Sequence, residues 1–371
     1  MRRFVVSLVA GAALAGCTSG DLTGQEAAES TTATATASPT TASTDAPPTT
    51  ATPTTTVPTT TTPTTTAPPV ATTLVPHRGP LFGIAVPKGR IETIEAIEAS
   101  AGSRFHLVRV FTRWEDDLAT DTDIAAIQAG GRAVHLSVRP TRNDGTPIPW
   151  SDIAMASEGS ALHDEMVAWA DAVVALGPDL RFTFNHEPET KESAPSGQAL
   201  EYREAWRRMV ELIRERGGEN TTMVWTVGRE ALTGTEGSEW YPGDDVVDVI
   251  GADLYNWYTC QGTDRPWTSF ETLIEPAIEF AEARAKPLAV PEFASAADPD
   301  DLDRRAGWMD AAVDTMIELV DDPNRTVELD YVAWFDVTAP GGTNPDCQWE
   351  HTTDDETSNG FMRMIRDLVG S

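Results

Sequence analysis

The alternation of short apolar strand patterns with longer helix patterns is the feature that most limits the fold of this chain. From Leu81 onward, eight strand-like runs are separated by stretches with helical periodicity. The predicted strands are Leu81–Val86, Leu107–Thr112, Ala133–Arg139, Arg181–Glu187, Thr222–Val227, Val247–Tyr255, Leu288–Glu292 and Leu329–Phe335. The clearest predicted helices are Ile91–Ser100, Ala161–Leu176, Gln198–Arg216, Phe270–Ala285 and Asp303–Val320. Several strands are unbroken runs of branched or aromatic residues, which is typical of a parallel sheet covered by helices.

Length narrows this α/β pattern to one architecture. Residues 77–371 number 295, too many for most single cores but suited to one barrel. Eight β/α units then average about 37 residues each. We therefore expect a (β/α)8 TIM barrel over residues 77–371.

The first residues carry a targeting signal. Met1-Arg2-Arg3 is basic, and the apolar run Phe4–Ala13 is too short to span a membrane. The tetrapeptide Leu14-Ala15-Gly16-Cys17 resembles the bacterial lipobox, in which the cysteine is lipidated and becomes the mature N-terminus. The prediction is a lipoprotein signal peptide over residues 1–16 and an extracytoplasmic protein anchored through Cys17 to the bacterial cell membrane. The alternative is an ordinary secretory signal with a chance cysteine.

Residues 17–76 form a spacer rather than a domain. From Thr18 onward this segment is almost wholly Thr, Ala, Pro and Ser, without lysine or arginine. Such a composition cannot build a core and favours a disordered, semi-extended linker.

Charge excludes some partners. The first 76 residues hold two arginines and four acidic residues, which leaves 25 basic against 54 acidic residues in the rest, a net charge of −29. That surface repels nucleic acid and anionic lipid and favours neutral substrates.

One of the three cysteines lies near the N-terminus and two lie in the predicted barrel. If Cys17 is lipidated, Cys260 and Cys347 are free to pair in an oxidising compartment. Both follow predicted strands, so a disulfide would link loops on one face of the barrel. Two unpaired thiols are the alternative, and a metal site is not favoured because no histidine lies at ligand spacing.

Two of the predicted strands end in glutamate. Glu187 closes Phe182-Thr183-Phe184-Asn185-His186-Glu187, and Glu292 closes Leu288-Ala289-Val290-Pro291-Glu292, 105 residues later. The spacing assigns them to strands four and seven, whose carboxyl ends open on the same face of a barrel. A carboxylate is costly to bury unless it is hydrogen-bonded, so the pair indicates a site.

The chain resembles glycoside hydrolase family 26, which is known best for β-mannanases. Glu187 in Asn185-His186-Glu187 matches the family's acid/base pattern, and Glu292 in Val290-Pro291-Glu292-Phe293 matches its nucleophile. Two departures are Pro188-Glu189, where mannanases usually carry an aromatic-rich run, and Ala294, where glycine is common. The resemblance implies a retaining glycosidase on a (β/α)8 barrel.

The chemistry also follows from the two carboxylates themselves. A retaining glycosidase needs one carboxylate to attack the anomeric carbon and one carboxylic acid to protonate the leaving oxygen. Proximity raises the pKa of one group and so separates the two roles. The alternative for Glu187 alone is a helix cap or an ion pair with arginine.

Further residues are candidates for binding substrate. By resemblance, Tyr255 hydrogen-bonds the nucleophile, with Tyr258 as the second choice, and Trp334 forms the aromatic floor of the central sugar subsite. A buried core tryptophan is the alternative for Trp334. Arg109 and Arg139, on strands two and three, are placed to keep the nucleophile ionised, with structural ion pairing as the alternative for each.

The two residues before Glu187 are also candidates. In an extended strand Asn185 would share the face of Glu187 and bond a sugar hydroxyl, whereas His186 would point to the opposite face. His186 would therefore contact substrate only if the strand breaks there.

Eleven tryptophans add support for a sugar cleft. Six of them fall in or near predicted loops after strands, namely Trp114, Trp150, Trp240, Trp257, Trp267 and Trp349. Aromatic loops form sugar-stacking subsites, although some of these rings will only pack the loops.

Together these observations predict a monomeric, lipid-anchored, retaining endo-β-glycosidase that needs no cofactor or metal and binds no nucleic acid. The substrate would be a neutral polysaccharide, with mannan the first choice. A non-catalytic carbohydrate-binding lipoprotein on the same barrel is the main alternative. A structural envelope lipoprotein would leave the paired glutamates unexplained.

Overall fold

The computed structural model describes residues 79–234, 236–260, 265–337 and 348–370. It shows a closed barrel in which each strand pairs in parallel with the next and β8 pairs with β1. The strands are β1 (Leu81–Ala85), β2 (Leu107–Arg113), β3 (Ala133–Arg139), β4 (Leu180–Phe184), β5 (Thr222–Gly228), β6 (Val249–Asn256), β7 (Leu288–Ser295) and β8 (Leu329–Phe335). The predicted (β/α)8 architecture is confirmed.

Helices surround the barrel and bury their apolar faces against it in one continuous core. They are α1 (Ile91–Ala101), α2 (Thr122–Ala129), α3 (Trp150–Met155), α4 (Ala161–Ala175), α5 (Ala199–Glu215), α6 (Arg229–Leu232), α7 (Glu236–Trp240), α8 (Phe270–Glu282), α9 (Asp303–Asp321) and α10 (Asp355–Val369). Local caps set several starts: the Ser269 hydroxyl accepts the Thr272 N–H at α8, and Asp354 accepts the Thr357 N–H at α10. None of the helices in the described part of the chain is both long and apolar enough to cross a membrane.

The interior of the barrel changes from apolar to polar along its axis. Near the starts of the strands, Leu107 and Val249 pack with Tyr331 in a small cluster. One layer further, His135 Nδ1 lies 2.7 Å from the Tyr331 hydroxyl and His135 Nε2 lies 2.8 Å from Thr183 Oγ1. These paired groups fill the barrel beneath its C-terminal mouth, where active sites of this fold lie.

Strand four is shorter than predicted. The prediction that it extends to Glu187 is wrong, because β4 ends at Phe184 and both Asn185 and Glu187 have φ of 47°. The Asn185 N–H donates to the Val138 carbonyl at 2.8 Å, and the Glu187 N–H donates to the Thr226 carbonyl at 2.9 Å. Left-handed backbone at a non-glycine residue costs about 1–3 kcal/mol. The neighbouring strands therefore hold Glu187 on a tight turn at the barrel mouth.

Candidate active site

Glu292 lies in β7 at an irregular point of the sheet. Pro291 before it has no N–H to donate to a ladder. The register with β6 shifts between Gly251 and Asp253, and the register with β8 shifts across the same part of β7. Such a bulge redirects a side chain. Glu292 therefore lies opposite Asp253 in the register of β6 and β7.

Arg109 and Tyr255 hold the Glu292 carboxylate from two sides. Arg109 Nη2 lies 3.0 Å from Glu292 Oε1, close enough for an ion pair but without hydrogen-bond geometry. The Tyr255 hydroxyl donates a short hydrogen bond to Glu292 Oε2. Arg109 is fully buried and Tyr255 is nearly so. Both predicted partners thus lie where they contact the predicted nucleophile.

Asp253 belongs to this cluster although the sequence reasoning missed it. Its Oδ1 accepts a hydrogen bond from Arg109 Nη1 at 3.1 Å, and its side chain is buried. Burial raises the pKa of Asp253 well above its usual range, the charge of Glu292 raises it further, and Arg109 lowers it. A signal was present: Asp253 precedes Tyr255 by two residues in the apolar run of strand six, so the two share a face.

Glu187 is half-buried and differs from Glu292 in its surroundings. Burial raises the pKa of Glu187 well above its usual range, and the charges of Asp253, Glu292 and Glu189 raise it further. Arg109 has the opposite, smaller effect. A carboxyl in this environment keeps its proton to higher pH than a free glutamate does, as a general acid requires.

Arg139 stands at the end of β3 and is half-buried at the mouth. Burial lowers the pKa of Arg139, while the charges of Glu187, Glu192 and Glu292 raise it. Arg139 and Arg109, on neighbouring strands, thus both interact with the charge of Glu292.

The side chains of the two residues before Glu187 make contacts within the protein. The Asn185 amide donates to the His186 carbonyl and to Ser193 Oγ, both at 3.1 Å, and Asn185 is buried. The predicted sugar contact of Asn185 rested on an extended strand, which the turn replaces. His186 Nδ1 lies 2.9 Å from Ser137 Oγ, and its ring packs on Phe111. Burial, with Arg109 and Arg139, lowers the pKa of His186 well below its usual range, so this ring is neutral.

One aromatic prediction is corrected by the structure. Trp334 is fully buried between Phe293 and Phe361, so its indole has no face open to a sugar. Its role as a subsite floor is wrong because alternation along β8 turns Trp334 outward toward the helices. The next residue, Phe335, faces the mouth instead and packs on Tyr255.

Tyr258, the second choice after Tyr255, lies in the loop after β6. Its ring packs on Trp267, with ring centroids 5.3 Å apart, and the Arg304 guanidinium lies 5.4 Å from its ring centroid. Tyr255 therefore contacts Glu292 while Tyr258 belongs to the rim.

The tryptophans predicted to lie in loops divide by exposure. Trp114, Trp150 and Trp349 are buried, whereas Trp240, Trp257 and Trp267 are partly exposed. Trp257 and Trp349 both pack on Tyr255, with ring centroids 5.3 and 5.0 Å away. Aromatic side chains thus line the site on the side next to Glu292.

Some predicted sites cannot be placed. Cys17 and Cys347 lie outside the described residues, as do the signal peptide and the linker. Cys260 is buried in the loop after β6. Its disulfide with Cys347 stays a prediction.

Comparison with known proteins gives a match to one family over part of the chain. Residues 192–285 match the family model of glycosyl hydrolase family 26. That range starts after Glu187 and ends before Glu292, so it contains neither glutamate.

Two characterised proteins match over a similar length. Endoglucanase H of Acetivibrio thermocellus is 35% identical over 96 residues, which cover 26% of this chain and 11% of that protein. A beta-1,3-xylanase of Alcaligenes sp is 32% identical over 92 residues, covering 24% of this chain and 18% of that protein. The chain thus matches less than a fifth of the length of either relative.

Solved structures share the whole barrel. A family 26 beta-mannanase from Bacteroides ovatus superposes with a TM-score of 0.57 at 19% identity, over 79% of this chain and 91% of that chain. A modular endo-beta-1,4-mannanase from Cellulomonas fimi gives a TM-score of 0.55 at 19% identity, over 79% and 73% of the two chains. At this identity the likeness shows the fold, and function has to be argued from the site.

Proposed function

We propose that the protein is a retaining glycoside hydrolase in which Glu187 is the acid/base and Glu292 the nucleophile. The observation that carries the proposal is the different environment of the two glutamates at one barrel mouth. Burial and neighbouring carboxylates favour the protonated form of Glu187. Glu292 instead has Arg109 beside one oxygen and the Tyr255 hydroxyl on the other, contacts that suit a charged carboxylate.

The reaction proceeds in two displacements. In the first, a Glu292 oxygen bonds to the anomeric carbon while the Glu187 proton passes to the departing glycosidic oxygen, so an ester forms and an alcohol leaves. Glu292 then carries no charge, and this lowers the proton affinity of Glu187 because their repulsion ends. Glu187, now a carboxylate, takes a proton from water, and the resulting hydroxide displaces Glu292 from the same carbon. Two inversions leave the configuration retained.

Charge and the relatives support one class of substrate. A net charge of −29 on residues 77–371 disfavours anionic glycans. The structural relatives include mannanases, and the matching stretch also resembles parts of an endoglucanase and a beta-1,3-xylanase. We infer endo-action on a neutral β-linked polysaccharide, with mannan the first choice.

The experiment is a substrate panel combined with two variants. β-Mannans, β-glucans and xylans are incubated with the full-length protein, and NMR reads the anomer of the first product. Glu292→Gln should bind substrate but turn over at least 1,000-fold more slowly, because it lacks the covalent route. Glu187→Ala should be partly rescued by azide on substrates with good leaving groups. Glu219→Gln, an exposed site in the turn between α5 and β5 at the other end of the barrel, controls for the loss of one charge.

Two outcomes would reject the proposal. Unchanged turnover in Glu292→Gln would show that Glu292 is not the nucleophile. Binding of a polysaccharide by the wild type without any product would favour the non-catalytic carbohydrate-binding protein instead.

We also propose that Cys17 is lipidated and holds the barrel at the outer face of the bacterial cell membrane. The support is the sequence Leu14-Ala15-Gly16-Cys17 after a basic and an apolar segment. Two or more acyl chains anchor a protein stably where one is marginal.

A further inference from the structure

Glu189 brings another carboxylate to the acid/base turn. It follows Glu187 by two residues, and its Oε1 accepts the N–H of Gly228 at 2.6 Å, where β5 ends. The side chain is therefore fixed across the gap between the β4 turn and β5. A backbone N–H bonded to a carboxylate favours the charged form.

The position of Gly228 shows how close the two glutamates come. A Cβ placed on this glycine would lie 3.2 Å from Glu189 Oε1 and 3.5 Å from Glu187 Oε1. The two oxygens are thus within about 7 Å of each other, closer than the screening length of physiological salt. No side chain stands between them at Gly228, because the residue has none.

Other charges act on Glu187 from the strands around it. Burial is the largest cause of its raised pKa, followed by Asp253 on β6, Glu292 on β7 and then Glu189. Arg109 on β2 opposes them, and Arg139 on β3 also faces Glu187.

Each of the three carboxylates that act on Glu187, namely Asp253, Glu292 and Glu189, makes contacts of its own in the structure. Asp253 and Glu292 are both in contact with the Arg109 guanidinium. Glu292 also loses its charge when it is esterified. One hydrogen bond to Glu189 comes from the backbone N–H of Gly228.

We propose that Glu189 is a positioning residue that keeps the proton on Glu187 by its charge. The inference depends on the proposed function in assigning Glu187 as the acid. Glu189 does not touch the reacting atoms. It sets the pH range over which Glu187 can protonate a leaving group.

The test separates charge from structure with isosteric variants. In Glu189→Gln the amide oxygen can still accept the Gly228 N–H, while the charge is lost. The alkaline limb of the pH profile of kcat/KM should move to lower pH by about half a unit or more, since two charges at this separation interact appreciably even at an effective dielectric constant near 20. Glu189→Asp keeps the charge and should leave the limb nearer the wild type. Glu219→Gln should not move it.

A second readout does not need activity. Full-length protein with ¹³C-labelled glutamate carboxyls is titrated by NMR, and Glu187→Gln identifies the Glu187 resonance. That resonance should titrate at lower pH in Glu189→Gln than in the wild type, even if the protein cleaves none of the polysaccharides tested. An unmoved resonance and an unmoved alkaline limb would overturn the inference. Equal effects of the Gln and Asp variants would show that Glu189 only fixes the loop.

Discussion

Replacement of Arg109 by methionine tests the charge balance of the site most directly. The guanidinium is fully buried and lies 3.1 Å from Asp253 Oδ1 and 3.0 Å from Glu292 Oε1. Methionine keeps most of the volume and removes the charge. Two buried carboxylates then lose the cation between them.

The cost should be large and should depend on pH. Removal of one partner from a buried ion pair destabilises a protein by about 3–5 kcal/mol. A buried carboxylate avoids part of that cost by binding a proton on folding, and Arg109 already lowers the raised pKa of Asp253. Without Arg109 that pKa rises further, so the folded variant binds more protons than the unfolded chain. Its stability is then retained at acidic pH and lost as pH increases, with a slope of about 1.4 kcal/mol per pH unit for each extra proton.

The assay is urea unfolding of the wild type and the variant at pH 5.5 and 7.5. The difference in the free energy of unfolding should be larger at pH 7.5, by up to about 2.7 kcal/mol if one carboxyl takes a proton over the whole interval.

Arg305→Met is the matched control. Arg305 is also fully buried, but its Nη2 donates to the Trp349 carbonyl at 2.8 Å and its Nη1 lies 3.2 Å from Thr353 Oγ1. Burial lowers the pKa of Arg305 to about 10, so it stays charged at both pH values. Its hydrogen bonds go to neutral acceptors, and burial affects it more than the charges of Asp354 and Asp336 do, so the cost of its replacement should vary less with pH than the cost of Arg109→Met. If Arg109→Met lost the same free energy at pH 5.5 and 7.5, the reasoning about its two carboxylates would be refuted.

Two further predictions concern the bulge and the anchor. Gly251→Ala should lower the free energy of unfolding by about 1–3 kcal/mol, because a Cβ there would lie 2.6 Å from Thr226 Oγ1 and 3.1 Å from Pro291 Cγ. It should also reduce kcat, because the position lies beside the bulge that directs Glu292. Gly307→Ala in α9, where a Cβ meets nothing within 4 Å, should be neutral or stabilising when both variants are compared with the wild type by urea unfolding. Cys17→Ser should move the protein out of the membrane fraction, or leave an uncleaved precursor, without changing hydrolysis of soluble substrate; equal fractionation of variant and wild type would contradict the lipid anchor.

The sequence predicted the barrel well because its signals are local and repeated. Unbroken apolar runs mark strands that are buried on both sides, and those runs recur at the spacing that eight β/α units require. The five clearest predicted helices agree with the structure to within three residues at each end. The predicted end of strand four was wrong because Asn185 and Glu187 adopt a left-handed backbone that alternation in the sequence does not encode.

The site was predictable only in part, for a related reason. Position on a barrel strand correctly brought Arg109 to Glu292, and the family resemblance correctly did so for Tyr255. Asp253 was missed because a single aspartate in an apolar run resembles a chance polar residue until its partner is known. Trp334 was misplaced because identity alone does not say which face of β8 a ring occupies.

Several carboxylates share this site, and the fold gives them different surroundings. Glu292 and Asp253 face each other across adjacent strands, and Arg109 offsets their repulsion from within the barrel. Glu187 sits outside that contact on a strained turn, where burial and the remaining negative charges favour its proton. Moving Glu187 onto the strand itself would bring it toward the same cation and reduce the difference between the two glutamates. The left-handed backbone at Glu187 thus keeps the proposed acid/base and the proposed nucleophile in different surroundings, at the cost of local strain.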